Sequence, residues 1–230
     1  MNMKFLATSS AAAFLLAAPA FAATFTLDSF TTEQLAIADP AITVENDGGE
    51  YAAASRDFSV DATVAENTGS NLNGSTRLES FGGLLSFSTT SSVRGTATLT
   101  YSGLNLMNSR EAGFFNFVVV PGTFDGDAMF SVFGEDSDGN TISYSENLLA
   151  GFSPILRFNQ FEFGESDMFD FSDVATLAFT FDTSNTRGNV DGQLASIEVS
   201  AVPVPAAGLL LLGAMGGLAG LRRRKAKKAA

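Results

Sequence analysis

Between Phe25 and Val199 the apolar residues recur at every second position over short runs, and no long stretch shows the 3.6-residue period of a helix. Leu84 to Ser88 and Gly95 to Tyr101 alternate apolar with small or polar side chains, the pattern of half-buried strands. Phe114 to Val120 is denser and reads as a central strand buried on both faces, ended by Pro121-Gly122. Ala128 to Phe133 and Thr141 to Tyr144 flank Glu135 to Asn140, whose composition is that of a hairpin turn. Phe158, Phe161, Phe163, Phe169 and Phe171 follow at less regular spacing. Leu177 to Phe181 and Leu194 to Val199 are two further runs, the last presenting Ser196, Glu198 and Ser200 on one side. Many short strands separated by turn residues predict an all-β fold, a β-sandwich or barrel. Thr31 to Ala38 is the one segment with a helical look, and a single helical turn or a strand fits it equally.

Both ends of the chain differ from this body. Lys4, an apolar stretch from Ala11 to Ala18 and the small-x-small triplet Ala20-Phe21-Ala22 predict a signal peptide over residues 1–22, cut before Ala23. The expected partners at that end are the Sec translocon and signal peptidase. At the other end, Val202-Pro203-Val204-Pro205-Ala206 leads into an uncharged apolar run that reaches Leu221. A transmembrane helix over about 204–221 is predicted. Its glycines are tolerated in lipid, where the backbone must satisfy its own hydrogen bonds. Arg222, Arg223, Arg224 and Lys225 follow at once and set the tail on the cytoplasmic side of the inner membrane. The exported globular domain then spans residues 23–200, and residues 201–230 form a separate terminal unit.

With both ends set aside, the balance of charge shifts. Of the 13 basic residues, Lys4 and the six of the tail lie outside the body. The body keeps Arg56, Arg77, Arg94, Arg110, Arg157 and Arg187 against all 25 acids, a net charge of −19 compared with −12 for the whole chain. Such a surface repels nucleic acid and anionic lipid. It suits a soluble extracellular protein or one that recruits divalent cations. Cysteine and histidine are absent. A Ser-His-Asp triad, a Cys-His pair and an ordinary zinc site are therefore excluded. With no lysine in the body, Schiff-base and P-loop chemistry are excluded too. An enzyme on this chain would have to be a two-carboxylate hydrolase or a calcium-dependent lyase. No pair of acids stands out for that role, and no catalytic residue or organic cofactor is expected.

Three acidic clusters could hold a structural calcium. Asp136, Asp138 and Asn140 place oxygen ligands at alternate positions around Gly139, as a calcium loop begins, but the closing glutamate at position twelve is replaced by Asn147. Asp125-Gly126-Asp127 is a shorter version. Asp182 and Asp191 bracket a loop that could wrap a cation. The plain alternative for each is a polar turn. The aromatic residues read as core rather than as sugar platforms, and tryptophan is absent.

Two resemblances add to this. The tail is similar to the PEP-CTERM class of sorting signals, and most closely to its VPLPA-CTERM variant, with Val204 where that variant commonly has leucine. The resemblance implies recognition and cleavage by an exosortase near the motif, in a Gram-negative bacterium, and delivery to the cell surface or an exopolysaccharide matrix. The segment from Asp170-Phe171-Ser172-Asp173-Val174 through Leu177 to Phe181 and on to Asp191 resembles the last strands of galactose-binding-like jelly-roll domains. It implies a jelly-roll-like sandwich and makes glycan binding an expectation to carry.

The leading expectation is therefore a non-enzymatic surface or matrix protein with a structural or adhesive role. A calcium-assisted carbohydrate-binding module, with exopolysaccharide as partner, is the alternative. A polysaccharide hydrolase or lyase is third. Ice binding would need a regular Thr-x-Thr ladder, of which the sequence offers only fragments such as Thr96-Ala97-Thr98-Leu99-Thr100.

Overall fold

A computed structural model describes residues 23–39, 42–43, 46–47, 55–64, 74–90, 93–106, 113–148, 155–165, 168–185 and 189–201. The expectations for Ala20, Ala22, Val202 to Ala206, the membrane helix and Arg222 to Lys225 lie outside these residues. Among the described residues no helix is long and apolar enough to cross a membrane.

The described residues form two antiparallel sheets. Sheet A runs β12 (Ile155–Arg157), β9 (Gly113–Val119), β15 (Val190–Ala201), β7 (Leu84–Thr89), β6 (Thr76–Phe81), β2 (Gln34–Asp39), β3 (Ile42–Thr43). Strand β1 (Ala23–Asp28) continues the line of β7 along β15, with Ala23 opposite Ala201. Sheet B runs β13 (Glu162–Phe163), β11 (Thr141–Leu148), β10 (Ala128–Asp136), β14 (Val174–Asp182), β8 (Val93–Leu104), β5 (Ser55–Val64), β4 (Asn46–Asp47). A short 3-10 turn, Phe158–Gln160, follows β12. The expected all-β sandwich is what the chain forms.

Alternation explains the arrangement. On β8, Val93, Gly95, Ala97, Leu99 and Tyr101 are buried and the residues between them are half-exposed. Only one face of each strand turns toward the opposite sheet. The inner faces meet in a phenylalanine core. Phe179 of sheet B makes edge contacts with Phe115 and Phe117 of sheet A at 5.5 Å each. Phe87 of sheet A stacks on Phe181 of sheet B at 5.4 Å. Each such side chain contributes about 1.5–3 kcal/mol on burial, the stabilisation available to a domain without disulfides. The irregular aromatic segment closes one end of this core, with Phe158 stacked on Phe171 at 4.3 Å.

One local expectation is corrected and one open alternative is decided. Phe114 to Val120 is not buried on both faces: β9 sits next to the short edge strand β12, with Phe115 and Phe117 inward and Phe114 and Val118 half-exposed. An antiparallel sheet covers one face only, so a dense apolar run there need not mark a central strand. In Thr31 to Ala38 the strand reading holds. Ala36 and Ala38 pack inward with no exposure, while Leu35 and Ile37 face outward, a period of two. The Glu135–Asn140 hairpin forms as expected, with Gly139 at φ +83° in its turn.

Candidate functional site: a polar trough on sheet A

Three neighbouring strands of sheet A put their polar side chains on the outer face in register. Arg77 of β6 lies opposite Ser88 of β7, and Ser88 opposite Asp191 of β15. One row along, Glu79 lies opposite Ser86, and Ser86 opposite Gln193. The result is a two-by-three grid. Its pitch follows from sheet geometry, about 4.8 Å across strands and about 6.7 Å along them. The Arg77 guanidinium is held at 2.6 Å from the Glu79 carboxylate, both partly exposed.

The segment after β9 walls one side. It runs beside β15 and bonds to it like an extra strand. Val120 N–H donates to Gln193 O at 3.0 Å and Asp125 N–H to Asp191 O at 3.1 Å. Gln193 N–H in turn donates to Thr123 Oγ1 at 3.1 Å. Phe124 tucks under this wall against Gly192, where an added Cβ would come within 2.6 Å of the ring. The space above the grid is a cavity of about 460 Å³, lined by Arg77, Glu79, Ser86, Ser88, Asp191 and Gln193 among others. Gln193 Nε2 donates to Ser86 Oγ at 3.3 Å across its floor. At the end of β6, Phe81 stands on the same face as Glu79, two residues on and about 6.7 Å away. It is 61% exposed, a flat aromatic surface at the trough's margin.

Asp191 is one of the predicted cation ligands, and the structure brings it to Asp125 rather than to Asp182. Asp191 N–H donates to Asp125 Oδ1 at 2.8 Å. Burial pushes the Asp191 carboxyl above its ordinary value and the Asp125 charge adds to this, against an opposing bond from Asn189. Asp182 lies on sheet B, where its Oδ1 caps a turn by accepting Ser184 N–H at 2.7 Å. Asp136 is buried, and its two oxygens accept four N–H groups: backbone Asp138 at 3.0 Å, Asn140 at 2.8 Å and Asp170 at 2.9 Å, and the Asn140 side chain at 2.9 Å. Burial opposes its ionisation, but the Asn140 amide and these backbone donors outweigh it and hold the carboxyl below its ordinary value. Asp138 is exposed at the tip of that turn. Turn closure alone accounts for the oxygens of Asp136. Among the described residues no three acids converge as a metal group would require.

A second cluster escaped the sequence reading. Arg56 of β5 is fully buried, and its guanidinium meets Asp28 Oδ2 at 2.7 Å, Gln34 Oε1 at 2.9 Å and Thr32 O at 2.7 Å. Tyr101 O–H of β8 donates to the same Asp28 oxygen at 2.5 Å. The other Asp28 oxygen accepts Phe30 N–H at 2.8 Å, which fixes Phe30 at φ 55°, a conformation few non-glycine residues adopt. Phe58 lies under the guanidinium at 5.0 Å. This network joins the β1–β2 connection of sheet A to β5 and β8 of sheet B. It is sealed from solvent, so its role is to lock the sandwich. The trough is the accessible site.

No family model matches the sequence, and no curated protein does. Among solved structures, the Family 11 carbohydrate-binding module of the cellulosomal cellulase Lic26A-Cel5E of Clostridium thermocellum aligns at TM-score 0.39 and 13% identity, over 79% of this chain and 95% of that one. PfGH50B aligns at 0.37 and 11%, over 63% of this chain and 23% of its own. The enzymatically active domain of bacteriophage CBA120 tailspike protein 4 aligns at 0.31 and 15%, over 74% and 19%. At these scores the likeness carries no functional weight.

Proposed function

We propose that this chain is an exported, non-catalytic surface or matrix protein that adheres to polysaccharide through the trough on sheet A. The observation that carries the reading is the registered grid of Arg77, Glu79, Ser86, Ser88, Asp191 and Gln193 beside an exposed Phe81. Sugar hydroxyls both donate and accept, and the grid interleaves a pure donor, pure acceptors and groups that do both. An aromatic plane at the margin offers a surface for the apolar face of a sugar ring. Glu79 and Asp191 stand two strands and one row apart, roughly 12 Å at the backbone. Glycosidase carboxylates work at roughly 5–9.5 Å. The separation, together with the engagement of Glu79 by Arg77, favours holding a glycan over cutting it. Calcium has no part in this binding mode.

The sequence ends supply the destination. The signal peptide delivers the domain through the Sec translocon, the apolar tail holds it at the inner membrane, and an exosortase releases it to the cell surface or matrix. Affinity electrophoresis or calorimetry of the purified protein against matrix polysaccharides tests the binding. Retardation by at least one polysaccharide, lost in Arg77→Ala and Gln193→Ala and unchanged by chelation of calcium, is the expected result. Wild-type protein that ignores every polysaccharide, or variants that bind as well as wild type, would sink the reading. Mass spectrometry of the surface form tests the sorting: the expected ends are near Ala23 and Pro203 to Ala206, and a surface form retaining Lys228 contradicts it.

A further inference from the structure

The trough on sheet A reaches one strand further than its polar grid, and its chemistry changes from one side to the other. On the outer face, Ile37 of β2 lies opposite Arg77, and Leu35 lies opposite Glu79. Both are half-exposed. One row therefore reads Ile37, Arg77, Ser88, Asp191, and the next reads Leu35, Glu79, Ser86, Gln193. Beyond Glu79 on β6, Phe81 pairs with the half-exposed Leu84 and widens the apolar side. The opposite side, under the wall, is anionic. Asp125 Oδ1 accepts Asp191 N–H at 2.8 Å, which sets the two acids side by side. Each row spans about 14 Å from β2 to β15.

We infer that the trough takes a partly N-acetylated amino-sugar polysaccharide, lying across the strands with an acetamido group over Ile37 and Leu35 and a free ammonium at Asp125 and Asp191. This rests on the trough being a polysaccharide site and adds the chemistry of the sugar. Three features support it. The first is the balance of charge. Glu79 already holds the Arg77 guanidinium at 2.6 Å, so that pair adds no net charge. Among the described residues no arginine pairs with Asp125 or Asp191. An acidic glycan is repelled there, and a neutral one leaves both carboxylates uncompensated. Burial and the Asp125 charge together hold the Asp191 carboxyl above its ordinary value. An ammonium beside both acids offsets their repulsion through charge-assisted hydrogen bonds. The second feature is the apolar side: an acetyl methyl leaves water on contact with Ile37 and Leu35, as it would not on a polar row. The third is the middle of the rows, where Ser86, Ser88 and Gln193 both donate and accept, as sugar hydroxyls require.

The test is calorimetry of the purified protein at physiological salt against three tetrasaccharides with one backbone: cellotetraose, N-acetylchitotetraose and its partly de-acetylated form. They differ only in carrying a hydroxyl, an acetamido group or a mixture of acetamido and ammonium groups. The partly de-acetylated form is expected to bind about tenfold more tightly than the fully acetylated one, and cellotetraose most weakly. Asp125→Asn combined with Asp191→Asn keeps the Oδ1 acceptor and is expected to abolish that tenfold advantage without lowering the melting midpoint. If the midpoint does fall, Asp125→Asn alone serves, with a smaller loss in the same direction. Asp57→Asn combined with Asp61→Asn removes the same charge from β5 of sheet B and is expected to keep the advantage. Cellotetraose or N-acetylchitotetraose binding as tightly as the partly de-acetylated form overturns the inference. So does a folded trough variant that keeps the advantage, or a sheet B variant that loses it, which assigns the effect to the net charge of the body. Retardation by a matrix polysaccharide with no binding of any tetrasaccharide overturns the inference alone, whereas binding to no glycan at all removes the trough's role as well.

Discussion

On β7 of sheet A the outward positions include Ser86 and Ser88, and on β8 of sheet B they include Thr96, Thr98 and Thr100. Taken as single strands the two are alike: short hydroxyl side chains alternating with core residues. Their neighbours separate them. The serines stand between Arg77 and Asp191 in one row and between Glu79 and Gln193 in the other, under a wall formed by the segment after β9. Of the threonines, Thr98 stands between Ser59 and Thr180, Thr96 between Asp61 and Asp182, and Thr100 between Asp57 and Ala178. The chemistry of a sheet face is thus decided by residues far apart in sequence, and a strand's own pattern fixes only which side is buried.

The change expected to do most damage loosens both sheets at once. Asp28→Ala would leave the Arg56 guanidinium buried without its counter-charge and release Phe30 from its left-handed conformation. Breaking a buried pair from one side costs about 3–5 kcal/mol. Chemical denaturation should show a loss of that size, and polysaccharide retardation by the trough should fall with it. A loss under about 1 kcal/mol would mean that the network does not hold the two sheets in place.

A smaller change should act on the trough alone. Gly192→Ala drives a methyl into the Phe124 ring, at 2.6 Å before relaxation. Overpacking of this kind costs about 1–3 kcal/mol. Relief comes most easily by moving the wall, so polysaccharide retardation should fall by more than the loss of stability accounts for. Unchanged retardation in a folded variant would show that the wall does not shape the trough.

How much of this was legible beforehand follows from range. Runs such as Gly95 to Tyr101 and Leu177 to Phe181 declared their strands because the inward positions alternate locally, and the Glu135–Asn140 turn declared itself by composition. Phe114 to Val120 has the apolar density of a strand buried on two faces, yet Phe114 and Val118 are half-exposed on the outside, because density alone does not say which face is covered. Arg56 could not be found at all. Its partners Asp28 and Gln34, and the Tyr101 that bonds the same Asp28 oxygen, come from three other strands, and a lone arginine in an acidic body looks like a surface residue. The trough was hidden for the same reason: Asp191 attracted notice as a calcium ligand, but Arg77, Glu79 and Gln193 only matter in register. Phe81 was counted with the core, and nothing local marks it as the exception.

At the far end of sheet B, the Asp136 turn gives a pH-dependent test. Its carboxyl titrates below the ordinary 3.8, so the stability it contributes is complete above that value and is lost as pH falls through the lowered one. Asp136→Asn should cost about 1–2 kcal/mol at neutral pH, since one oxygen acceptor is replaced by a donor facing N–H groups. The difference between variant and wild type should shrink in strong acid. A cost that stayed constant with pH would assign the effect to packing instead of charge.

The smallest effect expected is on the trough itself, and its sign is opposite. The Asp191 carboxyl titrates above 3.8, because burial and the Asp125 charge disfavour its ionised form in the fold. The folded protein therefore holds that proton more tightly than the unfolded chain does, and stability declines as pH rises from 3.8 through the raised value. Asp191→Asn removes this cost. The variant should match wild type in acid and exceed it at neutral pH, by no more than about 0.5 kcal/mol because the pair is partly hydrated. Thermal melts at pH 3 and pH 7 would read the difference as a small upward shift that appears only at the higher pH. A variant less stable than wild type at pH 7 would mean that the Asp191 charge is compensated in the trough, with the Arg77 guanidinium two positions along its row as the group to examine next.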